Sequence, residues 1–385
     1  MKPKVFLLLF MIFFFSCKTE DVVDTKKIEQ VVIEETETKS DPLEIIPFEL
    51  FYENAEIPLI ETDLIEMPDY SYVELLPKDP FLRMIDLKKR FYSFIDLKDT
   101  GFPQNEVTEI YTAENRIYIG TLKGAVIRYN LDNKTFNIIK DGYNSLQNNS
   151  ISDIIWINGT LLIATYSGLY SYNPVTDKLK YHRSTFKDDR LKTMTVFEND
   201  VYLGTTGGQI LKWNFYDFQL LGSINNIPIN IISIIENRVV IGTAGKGVFE
   251  YKRETDLLLP VDIVNDQLSN KNITAISYFD GSFWIGTFGE GIFVFNYSLN
   301  KISEHYKKRI ILSSAQSEEN IYFGTHHKGL FFYNKLKKKW YNWELKNGLP
   351  SLYLPSLYYK DKNIFISIPD KGIVFINEKI HESDI

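Results

Sequence analysis

From about residue 87 to residue 377 the chain alternates short apolar runs with polar punctuation, and the same pattern keeps returning. Five copies are plain: IYIGTLKGAVIRYN (117–130), VYLGTTGGQILKWN (201–214), VVIGTAGKGVFEYK (239–252), FWIGTFGEGIFVFN (283–296) and IYFGTHHKGLFFYN (321–334). Two are degenerate: LLIATYSGLYSYN (161–173) and IFISIPDKGIVFIN (364–377). The apolar runs are short and rich in β-branched and aromatic residues. Gly, Asn, Asp and Lys bound them, which predicts strands and tight turns. No helical period competes with this reading.

The spacing inside a copy is stricter than the repeat length. A small residue follows the first strand of each copy: Gly120, Ala164, Gly204, Gly242, Gly286, Gly324 and Ser367, at intervals of 44, 40, 38, 44, 38 and 43. Thirteen residues before each lies an aliphatic one: Val107, Ile151, Leu191, Ile229, Ile273, Ile311 and Leu354. Three further on the position is again apolar in every copy but one, where Ser314 stands. Nine residues after the small residue stand Tyr129, Trp213, Tyr251, Phe295, Tyr333 and Ile376, with Tyr172 at eight in the second copy. The second glycine of each Gly-Thr-x-x-Gly stretch, such as Gly124 or Gly291, predicts a hairpin turn that needs positive φ.

Each unit therefore reads as four strands, the innermost first. Four strands in about forty residues, repeated seven times, predict an all-β chain folded as a seven-bladed β-propeller. The propeller is expected over 81–385. Its closure is legible as well. Residues 336–343 (LKKKWYNW) form the outer strand of the sixth unit, and residues 87–94 (LKKRFYSF) match them but precede the first unit. The segment 87–97 is thus expected to supply the outer strand of the seventh blade and remove its open edge.

The N-terminus has a different texture. Residues 1–17, MKPKVFLLLFMIFFFSC, place Lys2 and Lys4 before an apolar run that ends at Ser16-Cys17. This is the layout of a secretory signal peptide, and the run is too short to span a bilayer. Phe14-Phe15-Ser16-Cys17 resembles a bacterial lipobox, which implies lipidation at Cys17. Cys17 is the only cysteine, so no intrachain disulfide forms. Residues 18–80 hold 18 Asp/Glu against 5 Lys/Arg and are punctuated by proline from Pro42 to Pro80. They read as an acidic tether. The acidity behind the chain's net charge of −7 therefore sits in its N-terminal segment, and the body is near neutral to slightly basic. A general nucleic-acid binder would carry a concentrated basic face, so nucleic acid is not an expected partner.

The unit N-x-I-x-x-I…(I/V/L)-(Y/W)-I-G-T-x-x-G-G-(L/I)-x-x-(Y/F)-N resembles the two-component regulator propeller repeat. Residues 149–154 (NSISDI) and 283–292 (FWIGTFGEGI) match it best, and the resemblance covers about residues 87–377. It implies a periplasmic ligand-binding sensor propeller, here as a stand-alone lipoprotein of the cell envelope.

Candidate chemistry falls on one face. The turns between second and third strands share it with the segments that lead into the innermost strands. Tyr166, Phe288, Glu290, His326, His327 and Lys328 are the candidate binding residues there. Tyr166 and Phe288 suit stacking on a sugar or holding a peptide. His326-His327 suits a ligand contact, but no third ligand accompanies it and no metal is expected. Asp188-Asp189 is half of an acid pair with no matched partner in the repeat, and no nucleophile elbow, HExxH or phosphate loop is present. The expected function is a non-enzymatic platform, without cofactor, that docks an envelope protein. The alternative is an oligosaccharide- or polysaccharide-binding sensor-type propeller, and an envelope hydrolase or lyase ranks third.

Overall fold

The computed structural model describes residues 106–139, 146, 149–184, 186, 190–296, 301–345, 349–369 and 372–378, with the backbone of three strands before them. The signal sequence with Cys17, residues 18–71, Asp188-Asp189 and the turn residues 370–371 lie outside the described residues.

The chain forms seven antiparallel sheets, as the repeat predicts. Blade 1 spans 107–139, blade 2 151–182, blade 3 191–223, blade 4 229–260, blade 5 273–305 and blade 6 311–343, each with four strands in chain order. Blade 7 takes three strands from 357–377 and the rest from the N-terminal side. Among the described residues the one helix is the single turn Asp262–Asn265, which leads from blade 4 into blade 5.

Seven hydrophobic clusters make up the core, and each straddles two neighbouring blades. One of them joins Phe365 and Ile373 of blade 7 to Val107, Ile110 and Tyr129 of blade 1, so the ring is closed by packing. The two strictest positions of the repeat are the two halves of this contact. A Cβ added at Gly120 would lie 2.6 Å from Ile151 Cγ2, and one at Gly286 would lie 2.6 Å from Ile311 Cγ2. Gly204 faces Ile229 and Gly242 faces Ile273 in the same way, and Gly324 faces Leu354. At these junctions the glycine is thus the hole that receives the aliphatic residue of the next blade. The exception at Ser314 has a local cause: its hydroxyl lies 3.0 Å from the Ser277 hydroxyl of blade 5, so a polar pair replaces an apolar one.

The Asn that ends most third strands builds the next turn. Asn130 Oδ1 accepts from the Asp132 N–H at 2.8 Å, and Asn173, Asn214 and Asn334 accept from N–H groups two or three residues on. These are Asx turns, which pin the outer hairpins. At the seam between blades 6 and 7, Glu378 accepts hydrogen bonds from Ser317, Asn320 and Tyr322 on one oxygen and from Tyr359 on the other. Burial alone would raise its pKa, but these donors hold it below the ordinary value.

The seventh blade closes as the sequence predicts and then continues. Strand β3 (Arg90–Asp96) pairs antiparallel with Gly372–Asn377, with Ser93 opposite Phe375. Outside it lie β2 (Leu82–Leu87) and the two-residue β1 (Tyr72–Val73), giving six strands. The blade therefore reaches into the acidic segment 18–80. Deleting residues 90–96 should expose the edge Gly372–Asn377, lower the melting temperature and produce edge-to-edge association in sedimentation velocity. A monomeric deletion variant with unchanged melting would contradict this closure.

Candidate functional site

The turn face is built on one recurring device. The Thr that follows the small residue in blades 1 to 6 is fully or almost fully buried, and its hydroxyl bonds the backbone of its own turn. Thr287 Oγ1 donates to Gly291 O at 3.0 Å and accepts from the Glu290 N–H at 3.2 Å. Thr325 Oγ1 donates to Gly329 O at 2.9 Å and accepts from the Lys328 N–H at 2.8 Å. Thr121, Thr165 and Thr243 donate to their own turn carbonyls in the same manner, and Thr205 accepts from the Gln209 N–H at 3.0 Å. The glycine that follows has positive φ in all seven turns. At Gly291 (φ +84) a Cβ would lie 2.2 Å from Tyr306 O. The turn backbone is therefore pressed against the segment that leads into the next blade, and the tips it carries are held in place.

Blades 5 and 6 are joined on this face through backbone hydrogen bonds. The Phe288 N–H donates to Asn272 O at 2.9 Å, and Phe288 also forms a β-bridge with Ile310. The Gly291 N–H donates to Arg309 O at 2.8 Å, and the His326 N–H donates to Ile310 O at 3.1 Å. One short segment, Arg309-Ile310, is thus gripped by both turns. It brings Phe288, Glu290, His326, His327 and Lys328 onto one rim. Phe288 is 47% exposed there. Tyr166 is also exposed, but it stands on the blade 2 turn near Arg190, away from this group.

The two histidines contact each other, with ring centroids 3.8 Å apart, and His326 also meets the Tyr353 ring at 4.9 Å. Burial, and then the neighbouring His327, push the His326 pKa down to about 4. Burial, and then Lys328, lower that of His327. Both are therefore neutral at pH 7 and present dipoles rather than charge. Among the described residues no group of three His, Cys, Asp or Glu is placed to hold a metal ion.

A second polar feature lines the inner ends of the blades. In blades 1 to 6 the innermost strand carries a bulge after its first residue. Side chains at and beside the bulge reach across to the next blade. Ser152 donates to Leu191 O at 2.7 Å, Lys192 to Asn230 Oδ1 at 2.7 Å, and Asn230 to Ile273 O at 2.8 Å. Thr274 donates to Ile311 O at 2.7 Å and Ser313 to Leu354 O at 3.1 Å. Ser356 then donates to Glu109 Oε1 at 2.8 Å and returns the belt to blade 1.

The belt changes character between blades 1 and 2. Thr108 Oγ1 is buried without a partner, and two buried carboxyls, Glu109 and Asp153, stand on adjacent blades and interact electrostatically. Glu109 and Asp153 occupy the same position of the repeat, two residues past the aliphatic knob. Burial, and then the charge of Asp153, push Glu109 up to about 8. Burial pushes Asp153 up to about 7, although the Met194 N–H donates to it at 2.6 Å. This is the matched acid pair that Asp188-Asp189 lacked. The ruler that found the repeat contains it, one step beyond the apolar registers.

Both carboxyls hold their proton more tightly in the folded chain than in the unfolded one. Between the ordinary carboxylate range and about pH 8 the folded state thus binds more protons, and stability falls as pH rises through that window. Glu109→Gln and Asp153→Asn should each flatten this fall and raise the melting temperature at pH 8 more than at pH 5. A melting profile with unchanged pH slope in both variants would contradict the assignment.

No protein-family model matches the chain, and no curated protein matches it. Solved structures do match. The extracellular domain of BT4673, a one component system of B. thetaiotaomicron, aligns with TM-score 0.60 and 20% identity over 71% of this chain and 38% of that one. The extracellular domain of the hybrid two component system BT3049 of the same organism aligns with TM-score 0.59 and 16% identity, over 71% of this chain and 40% of that one. PorZ, an essential surface component of the type-IX secretion system of Porphyromonas gingivalis, aligns with TM-score 0.58 and 16% identity, over 77% of this chain and 50% of that one. The chain spans half or less of the length of each. These likenesses show the propeller fold. For two of the three the match is to the extracellular domain of a one component or hybrid two component system. Among the described residues no helix is long and apolar enough to cross a membrane.

Proposed function

We propose that this chain is a non-enzymatic docking propeller of the bacterial cell envelope, held to a membrane through a lipid on Cys17. Its docking site is the rim of blades 5 and 6. The observation that carries this reading is Phe288: a large aromatic, 47% exposed, on a turn braced by its own Thr287 and hydrogen-bonded to two other segments. An aromatic anchor on a rigid support loses little conformational freedom on binding, which suits the centre of a protein interface. The acid pair of the inner belt is bonded to wall donors, consistent with a structural rather than a catalytic use. Extracellular location agrees with the matched domains of BT4673, BT3049 and the surface component PorZ.

A second reading, an oligosaccharide-binding sensor-type propeller, is favoured by Tyr166, which is 39% exposed on the blade 2 turn. The two readings use different blades and are therefore separable. In intact cells, cross-linking of the full chain followed by mass spectrometry should return one recurrent envelope protein. Phe288→Ala should reduce its recovery about tenfold or more, and Tyr166→Ala should leave it unchanged. Recovery of no protein, with a glycan retained through Tyr166, would favour the second reading.

A further inference from the structure

The rim around Phe288 is lined by cations that the sequence scatters over four segments. Lys246 stands on the blade 4 turn, Lys271 leads into blade 5, Lys308-Arg309 leads into blade 6 and Lys328 stands on the blade 6 turn. All five are exposed. Backbone bonds fix them to one another. The Gly245 and Gly247 N–H groups donate to Lys271 O at 3.0 and 2.9 Å, the next residue Asn272 accepts from Phe288, and Arg309 O accepts from Gly291. Among the described residues none of the five is in an ion pair, whereas neighbouring Lys307 is engaged by Glu304 at 2.5 Å. The same turns and lead-in segments carry the carboxylates Glu290, Glu304, Asp262 and Asp266, and among the described residues no ion pair joins them to these five cations.

The cations of this surface outnumber its carboxylates, and among the described residues no ion pair neutralises any of the five. The one amide beside Phe288 is already used: Asn270 Nδ2 donates to Phe288 O at 3.2 Å, and its Oδ1 accepts from the Asn272 N–H at 2.8 Å. Recognition of sugar hydroxyls needs acceptors as well as donors, whereas carboxylates need donors alone. An aromatic centre within an arc of five cations, none of them in an ion pair among the described residues, matches an apolar side chain flanked by carboxylates.

We infer that the docking site of blades 4 to 6 takes an acidic segment of a partner protein, with an apolar residue of that segment seated on Phe288. This deepens the docking reading and rests on it. The cations steer the encounter and select the sign of the partner, and the aromatic supplies the anchor.

The test uses the full chain and fluorescein-labelled peptides of alternating Glu and Phe or alternating Lys and Phe, with polygalacturonate as the anionic glycan. The Glu-Phe peptide should bind, and its affinity should drop about tenfold or more from 50 to 500 mM salt. The exposed-site variant Lys246→Ser with Lys308→Ser and Lys328→Ser should lose that binding at unchanged melting temperature. Equal binding of the Lys-Phe peptide, salt-independent binding, or tighter binding of polygalacturonate would each overturn the inference. If cross-linking still finds a Phe288-dependent protein while peptide binding is salt-independent, the docking reading stands and the acidic partner falls. If the acidic peptide binds as stated but no protein cross-links, the surface chemistry stands and the docking reading falls.

Discussion

Everything in this molecule depends on how one blade meets the next. At five junctions a glycine, and at one an alanine, stands where the innermost strand of the following blade presents an aliphatic residue. The approach is close enough that a Cβ at Gly204 would lie 2.5 Å from Ile229 Cγ2. Around that contact each junction gathers its own buried cluster, so the core is seven interfaces rather than one centre. Such a ring has no stable partial form, since each blade leaves two apolar faces open until its neighbours arrive. Closure therefore has to be specified, and β3 with the 7–1 cluster does so.

The fold was legible because this contact imposes a ruler on the sequence. Hole and knob must recur at fixed separation whatever the loops do, and they do so from Val107 to Ser367. The closure was legible for the same reason, since residues 87–94 repeat the outer strand of blade 6. Strands β1 and β2 were not, because they lie outside the ring and share no register with it. Glu109 and Asp153 were within reach of the ruler, at a position where the other blades carry Thr193, Ile231, Ala275, Ser313 and Ser356. Reading only the apolar registers passed over them.

The candidate site was legible in part. Phe288, Glu290, His326, His327 and Lys328 do share a rim, because turns of adjacent blades must. Tyr166 does not join them, because adjacency follows the ring and blade 2 is three steps from blade 5. The basic arc escaped notice for a related reason. Lys246, Lys271, Arg309 and Lys328 each look ordinary in their own repeat, and only the hydrogen bonds between turns and lead-in segments assemble them. A propeller thus separates two tasks. The inner contacts set the geometry, and the turn tips are free to carry whatever chemistry the rim requires.

The interblade contact itself is the claim to test first, by a double-mutant cycle on Gly286 and Ile311. Alone, Gly286→Ala should destabilise by about 2 kcal/mol or more, because its Cβ would clash with Ile311 Cγ2. In an Ile311→Ala background, which removes that atom, the same substitution should cost at least about 1 kcal/mol less. Such a coupling in chemical denaturation would establish hole and knob as one interaction. Strictly additive effects would mean that the glycine serves something other than the neighbouring blade, and the account of how this ring is held would be wrong.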